Sequence, residues 1–185
     1  IANYAGTKGS EAVNTTSDPL TINSLLSEMV NAGCEYCFME VSSIGVEQER
    51  IAGLKFKVAI FANLTHDHLD YHKTFAEYLR CKNLFFDQLP QDAYAITNMD
   101  DRNGMVMVQN TKAKVVTYSL RSIADHTCRI VEQSFEGMLL RMDSRESWTP
   151  LIGQHNAYNL LAIYTTAMVL GADEEETLIA LSTLR

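Results

Sequence analysis

Apolar residues recur along this chain in two alternating rhythms: short unbroken runs, and stripes spaced three to four residues apart. Residues 1–10 read as a short strand entering a Gly-rich hairpin turn at Gly6-Thr7-Lys8-Gly9-Ser10. Asp18-Pro19 supplies a capping side chain and then Pro at the first helical position; Ile22, Leu25, Leu26, Met29 and Val30 form the apolar stripe, and Gly33 ends it. Residues 36–41 are a short apolar run of the sort buried in a parallel sheet, Ser42-Ser43 opens a short helix to about residue 53, and 57–62 is the next strand. Past a polar stretch, Thr74 and Glu77 make a capping box for a long helix to about residue 89. A strand at 93–97, a helix at about 102–108 and a strand at 114–118 continue the alternation, which implies a parallel sheet with crossover helices. Near residue 123 the pattern changes. Residues 128–132, 138–142 and 148–152 read as short strands with a Glu136-Gly137 turn, before helices at about 156–170 and 174–184. The expected fold is α/β: a mostly parallel sheet flanked by helices, with a small antiparallel β insert at about 113–152.

Composition narrows the functions available. With 185 residues, 46% hydrophobic and 21% charged, the chain suits one globular domain with a sizeable core, and a disordered tail, a coiled coil or a disulfide-dense miniprotein is excluded. Its 15 Lys and Arg against 23 Asp and Glu give a formal net charge of −8, which argues against a nonspecific nucleic-acid partner. Any anionic ligand must therefore be held by local donors. No apolar run reaches membrane-spanning length and the four cysteines are scattered, so a reduced, cytoplasmic setting with no membrane partner is expected. The first residue is not Met and Arg185 follows directly on a helical pattern, so a piece of a longer protein is expected.

In an open α/β sheet, ligands collect at the carboxyl ends of the strands. Here those ends are polar: Glu40 with Ser42 and Ser43, Asn63 with Thr65, and Asn98 with Asp100 and Asp101. Short polar residues also end strands and cap helices, so it is their clustering on one edge that points to function. The densest run, Thr65-His66-Asp67-His68-Leu69-Asp70-Tyr71-His72, brings imidazoles and carboxylates that suit Mg²⁺, Mn²⁺ or Zn²⁺. A zinc-dependent hydrolase with a His-x-His-x-Asp-His run is one alternative, off by one residue here because Tyr71 separates Asp70 from His72. A noncatalytic binding module is another. Lys82 falls inside the apolar stripe of Phe75, Tyr78, Leu79, Phe85, Phe86 and Leu89. Partial burial lowers a lysine's pKa, and the neutral amine can add CO2 to give a carbamate, an anion able to hold a metal. Cys34 and Cys37 have Cys-x-x-Cys spacing without a second pair and read as packing residues. Asn156 and Asn159 share a face at a helix start; capping explains the first and leaves the second to meet a ligand.

In order along the chain, Asn14-Thr15-Thr16-Ser17-Asp18-Pro19, Met39-Glu40-Val41-Ser42-Ser43, Gln48-Glu49-Arg50, the run from Asn63 to His72, Lys82, Asn98-Met99-Asp100-Asp101 and Gly153-Gln154-His155-Asn156-Ala157-Tyr158-Asn159-Leu160 resemble the central domain of the Mur ligases, specifically the MurE type. The resemblance implies ATP-dependent amide-bond formation in peptidoglycan synthesis. The carboxylate of UDP-N-acetylmuramoyl-dipeptide is phosphorylated to an acyl phosphate, which the amine of a diamino acid then attacks. By position it implies Thr15, Thr16, Ser42, Gln48 and Arg50 as uridine-substrate contacts, Glu40 and His68 as Mg²⁺ ligands and Lys82 as a carbamylated lysine. Asn63 and Asn159 fall on the ATP side, Asn159 towards the adenine. The family's phosphate-binding loop, Gly-x-x-Gly-Lys-Thr after a first strand, does not occur in these residues, and Gly6-Thr7-Lys8-Gly9-Ser10 lacks its Lys-[Ser/Thr] ending. The expectation is that these residues alone bind ATP poorly and do not ligate, with the uridine-binding and amino-acid-selecting domains lying outside them.

Overall fold

The computed structural model of the chain describes residues 2–64 and 74–184. It divides into two compact units, Ile1–Lys55 with His68–Phe85, and Phe56–Asp67 with Phe86–Arg185.

In the first unit, β1 (Ala2–Ala5) and β2 (Lys8–Glu11) pair antiparallel, Ala5 opposite Lys8, across a turn in which Gly6 takes a left-handed φ of 59°. Lys8 reaches back to Glu28 at 3.5 Å, an exposed pair of little energetic weight. Helix α1 (Pro19–Asn31) begins as its sequence requires: Asp18 Oδ1 accepts the N–H groups of Leu20 and Thr21, which satisfies donors the first turn otherwise leaves open. Of its stripe, Ile22 is buried and Val30 is exposed. Helices α2 (Ser43–Glu47) and most of α3 (Phe75–Asp87) complete the unit. Thr74 Oγ1 accepts the Glu77 N–H at 3.2 Å, while the Glu77 carboxylate turns to Arg80. One expectation fails here. Residues 36–41 join no strand among the described residues, and Tyr36 and Phe38 are 62% and 78% exposed. A run of apolar residues signals burial, but a strand also needs a hydrogen-bonding neighbour.

The second unit is built on one six-stranded sheet, in the order β3 (Val58–Phe61), β4 (Tyr94–Asn98), β5 (Lys114–Ser119), β6 (His126–Gln133), β7 (Met138–Met142) and β8 (Arg145–Thr149). Strands β3 to β6 run parallel, and β6 to β8 continue antiparallel. The antiparallel part hangs on the parallel part through Tyr118 opposite His126 and Ser119 opposite Thr127. The short helix α4 (Gly104–Met107) follows β4, and α5 (Gln154–Val169) and α6 (Glu174–Ser182) close the unit. Helix α5 packs on β4, β5 and β6, where Ile96, Tyr118, Leu140, Met142, Leu160, Leu161 and Tyr164 form a close-packed core. The last strand lies three residues earlier than the pattern at 148–152 predicts. Asp143 adopts φ 49°, a conformation its short side chain tolerates, and its carboxylate accepts the Thr127 N–H at 2.8 Å, so the chain reverses at Asp143-Ser144.

Candidate functional site

Four of the first-unit residues expected to meet the uridine substrate, Thr16, Ser42, Gln48 and Arg50, form one hydrogen-bonded cluster. Thr16 is buried, and its hydroxyl donates to the Glu40 carbonyl at 3.0 Å and accepts the Ser42 N–H at 2.9 Å. The Ser42 hydroxyl accepts the Gly45 N–H at 3.0 Å and so caps α2. Helix α2 lies close on Thr16, since a Cβ on Gly45 would come within 2.8 Å of the Thr16 side chain. Its far end turns through Glu49, held at φ 54°, with Glu49 N–H to Val46 and Arg50 N–H to Gly45 carbonyls at 3.0 and 2.9 Å. These two bonds make a Schellman cap with a non-glycine residue in the left-handed position, a conformation that costs about 1 kcal/mol and fixes where Gln48 and Arg50 emerge.

Arg50 donates from Nη1 to the Thr16 carbonyl at 2.6 Å, and from Nε and Nη2 to Gln48 Oε1 at 3.0 and 2.6 Å. Guanidinium carries five N–H donors. Those left over are held in a fixed plane, an arrangement suited to a phosphate or carboxylate. The structure thus brings Thr16, Ser42, Gln48 and Arg50 together, with Thr15 half-buried next to Thr16 in the chain. Spacing alone does not reveal that the Thr16 and Ser42 hydroxyls serve the chain itself.

Lys82 lies half-buried on the face of α3 that also carries buried Tyr78 and Phe86, as the stripe predicts. Its Nζ sits 5.2 Å from the centre of the Tyr78 ring. That cation–π contact favours the ammonium, so carbamate formation has to compete with it. Glu40 is exposed on the segment that Thr16 holds, and its carboxylate is the hard oxygen donor Mg²⁺ prefers. Among the described residues the three side chains close enough to share an ion are instead Glu47, Glu77 and Cys81, with ligand atoms within 4.8 Å. This group does not fit Mg²⁺. Arg80 binds the Glu77 carboxylate through Nε and Nη2 at 2.6 to 3.1 Å, and burial, with the Glu47 charge, pushes the Cys81 thiol up and keeps it protonated. His68, with the rest of the histidine-rich run, lies outside the described residues, and so does the hydrolase alternative built on it.

In the second unit the ends of β3 and β4 meet at the carboxyl edge, whereas Glu40, Ser42 and Ser43, expected on the same edge, follow no strand among the described residues. Asn63 is exposed just past β3. Asn98 Nδ2 donates to the Ala62 carbonyl at 2.9 Å, and Asp101 Oδ2 accepts the Leu64 N–H at 3.1 Å while its Oδ1 accepts that of Asn103 at 2.8 Å. Asp100 accepts from Ser119 Oγ and Leu120 N–H, both at 2.7 Å, and from the Tyr158 hydroxyl at 2.8 Å. Burial alone would raise the Asp100 pKa, but these hydrogen bonds outweigh it and hold the carboxyl below its ordinary value. Burial, then the bond to Asp100, pushes Tyr158 up to about 12. Asn159, the next residue, is exposed on α5. Asn156 does not cap that helix as expected. Gly153 takes the cap position at φ 92°, and Asn156 Nδ2 donates back to the Ile152 carbonyl at 2.8 Å. The roles of Asp100 and Tyr158 were not assigned from sequence; the paired acids after β4 were the available signal.

A six-stranded sheet, part parallel and part antiparallel, with polar strand ends and flanking helices defines an α/β domain. The chain belongs to the Mur ligase family: residues 1–167 match the Mur ligase middle domain. It is 55% identical over its whole length to the UDP-N-acetylmuramoyl-L-alanyl-D-glutamate--2,6-diaminopimelate ligases of Phocaeicola vulgatus and Parabacteroides distasonis, and spans 38% of the length of each. The corresponding ligase of Bacillus cereus is 37% identical over 92% of the chain and 36% of that protein. A solved structure of a ligase of the same name superposes on all of the chain with a TM-score of 0.86 at 28% identity, over 40% of that structure. MurF from Acinetobacter baumannii, 18% identical, shares the fold over 70% of the chain and 29% of its own, with a TM-score of 0.63.

Proposed function

We propose that these residues form the central domain of an ATP-dependent ligase that joins 2,6-diaminopimelate to UDP-N-acetylmuramoyl-L-alanyl-D-glutamate. The observation that carries this reading is the 55% identity, along the whole chain, to ligases of that name. The geometry supports it, because Arg50 is fixed by Thr16 and Gln48 with N–H groups oriented for an anionic, uridine-linked substrate. In this reading the substrate carboxylate attacks the γ-phosphorus of ATP and ADP leaves; the diaminopimelate amine then attacks the acyl carbon and phosphate departs. Two anions must be brought together in a chain of net charge −8. Mg²⁺, when bound, supplies charge that offsets their repulsion and the charge spreading over the transferred phosphoryl. Glu40 and His68 would hold it, with Lys82 as a carbamate. Thr16 and Ser42 shape the substrate side, Thr15 lies beside them, and Asn63 and Asn159 flank the ATP. A cytoplasmic location follows, because ATP and nucleotide-linked sugars are made there; among the described residues no helix is long and apolar enough to cross a membrane.

The test is phosphate release by the native-length protein given ATP, Mg²⁺, UDP-N-acetylmuramoyl-L-alanyl-D-glutamate and an amino acid. Release is expected with 2,6-diaminopimelate and at least about tenfold less with lysine, which lacks the second carboxylate. No release with any diamino acid refutes the reading.

A further inference from the structure

The segment Asn98-Met99-Asp100-Asp101 stands out in the sequence, yet no role above uses its acids. It ties together two places that are far apart in the chain. On one side Asn98 donates to the Ala62 carbonyl and Asp101 accepts the Leu64 N–H, so the residues before and after Asn63 are both fastened to the end of β4. On the other side Asp100 accepts the Tyr158 hydroxyl, and Tyr158 immediately precedes Asn159 on α5. Asp100 also gathers the loop after β5, through Ser119 Oγ, Leu120 N–H, Arg121 N–H and Ser122 Oγ at 2.7 to 3.3 Å. Every one of these groups lies in the second unit.

From this arrangement we infer that Asp100 and Asp101 are positioning residues for the ATP site: Asp101 sets the main chain that presents Asn63, and Asp100, through Tyr158, sets the turn that presents Asn159. Neither acid needs to touch the nucleotide. The chemistry favours an acid over an amide at both places. Asp101 uses its two oxygens on different N–H groups, Leu64 on Oδ2 and Asn103 on Oδ1, and an asparagine has only one oxygen to give. Asp100 likewise takes Leu120, Arg121 and Tyr158 on Oδ2 while Ser119 and Ser122 bond Oδ1. This inference rests on the ligase reading, in which Asn63 and Asn159 flank ATP.

The test uses the native-length protein and two variants, Asp101→Asn and the milder Tyr158→Phe, each checked for a cooperative thermal melt. For each, KM is measured for ATP and separately for UDP-N-acetylmuramoyl-L-alanyl-D-glutamate. The expected result is a rise in KM for ATP of about tenfold for Asp101→Asn and about threefold for Tyr158→Phe, with KM for the uridine substrate within about twofold. Coupling is then read from Asn63→Ala: in that background Asp101→Asn should change KM for ATP by less than about twofold, because its effect runs through Asn63. A lowered melting temperature with both KM values unchanged overturns the inference, and so does an Asp101→Asn effect of equal size with and without Asn63. If Asp101→Asn fails to fold, Tyr158→Phe decides alone, through its KM for ATP and the matching comparison in an Asn159→Ala background. Failure of the unaltered protein to use ATP at all refutes the ligase reading itself and this inference with it, an outcome distinct from an active enzyme with insensitive variants.

Discussion

Lys82 is half-buried on α3 with its Nζ 5.2 Å from the centre of the Tyr78 ring. CO2 addition to an ammonium gives an anion and releases two protons, one from the ammonium and one as the carbamate forms, so the carbamate persists only if something positive waits nearby, which is the part Mg²⁺ would play. Lys82→Ala in the native-length protein is therefore expected to cut ligation at least about a hundredfold, with partial recovery on adding a short carboxylate such as acetate or formate. Undiminished turnover in that variant rules out the carbamate. Asp100 offers a test by pH. Its pKa is depressed below the ordinary 3.8 in the folded protein, so the unfolded chain takes up a proton first as the solution is acidified. Its contribution to stability is complete well above 3.8 and is lost as pH falls through the depressed value. Urea unfolding of the unaltered chain and Asp100→Asn should differ most at pH 7, and the difference should shrink towards pH 3; a gap that stays constant with pH means the charge is not what matters.

Among the elements, those set by local rules were readable. Helix α1 follows from Asp18-Pro19 and Gly33, β4 from an apolar run buried over four of its five residues, and β5 from a β-branched run whose last two residues are buried. The errors fell where a non-local fact decides. Residues 36–41 have a strand's composition but no paired neighbour among the described residues, and β8 starts early because a carboxylate on Asp143 reaches Thr127. In the site, the ordered motifs exposed which residues belong together, yet the hydroxyls of Thr16 and Ser42 turned out to bond the main chain, which no spacing rule distinguishes from bonding a ligand. The junction of β4 and α4 is tightly constrained. A Cβ on Gly104 would stand 2.0 Å from the Asn98 carbonyl oxygen, and the Gly104 carbonyl accepts the Thr97 hydroxyl at 2.7 Å. Alanine would favour a helix by about 1 kcal/mol, but the backbone overlap forces β4 and α4 apart. Gly104→Ala is expected to destabilise the protein by about 3 kcal/mol or more, read from thermal or urea unfolding, and a neutral result would mean that Asn98 is not held where it is seen.

At the scale of the whole chain, the controlling quantity is charge. A net charge of −8 repels a triphosphate, so affinity for ATP has to come from a few oriented N–H groups, fixed cations and bound metal. In this family a loop of main-chain amides with a Lys-[Ser/Thr] ending does much of that, and residues 6–10 do not supply it: they form a two-stranded hairpin whose lysine pairs with Glu28 on α1. The asparagines assigned to the ATP side are neutral and can orient a nucleotide, but they add no positive charge against three phosphates. A polypeptide of these 185 residues, shown by circular dichroism and a cooperative melt to be folded, is therefore expected to bind ATP with a Kd of about 1 mM or weaker by calorimetry. Mg²⁺ should tighten that binding by lowering the ligand's charge, and added salt should not weaken it, because screening also reduces the repulsion between the triphosphate and the chain's net negative charge. Micromolar binding without Mg²⁺ would contradict the argument, since it would require a phosphate cradle built from residues other than those assigned here.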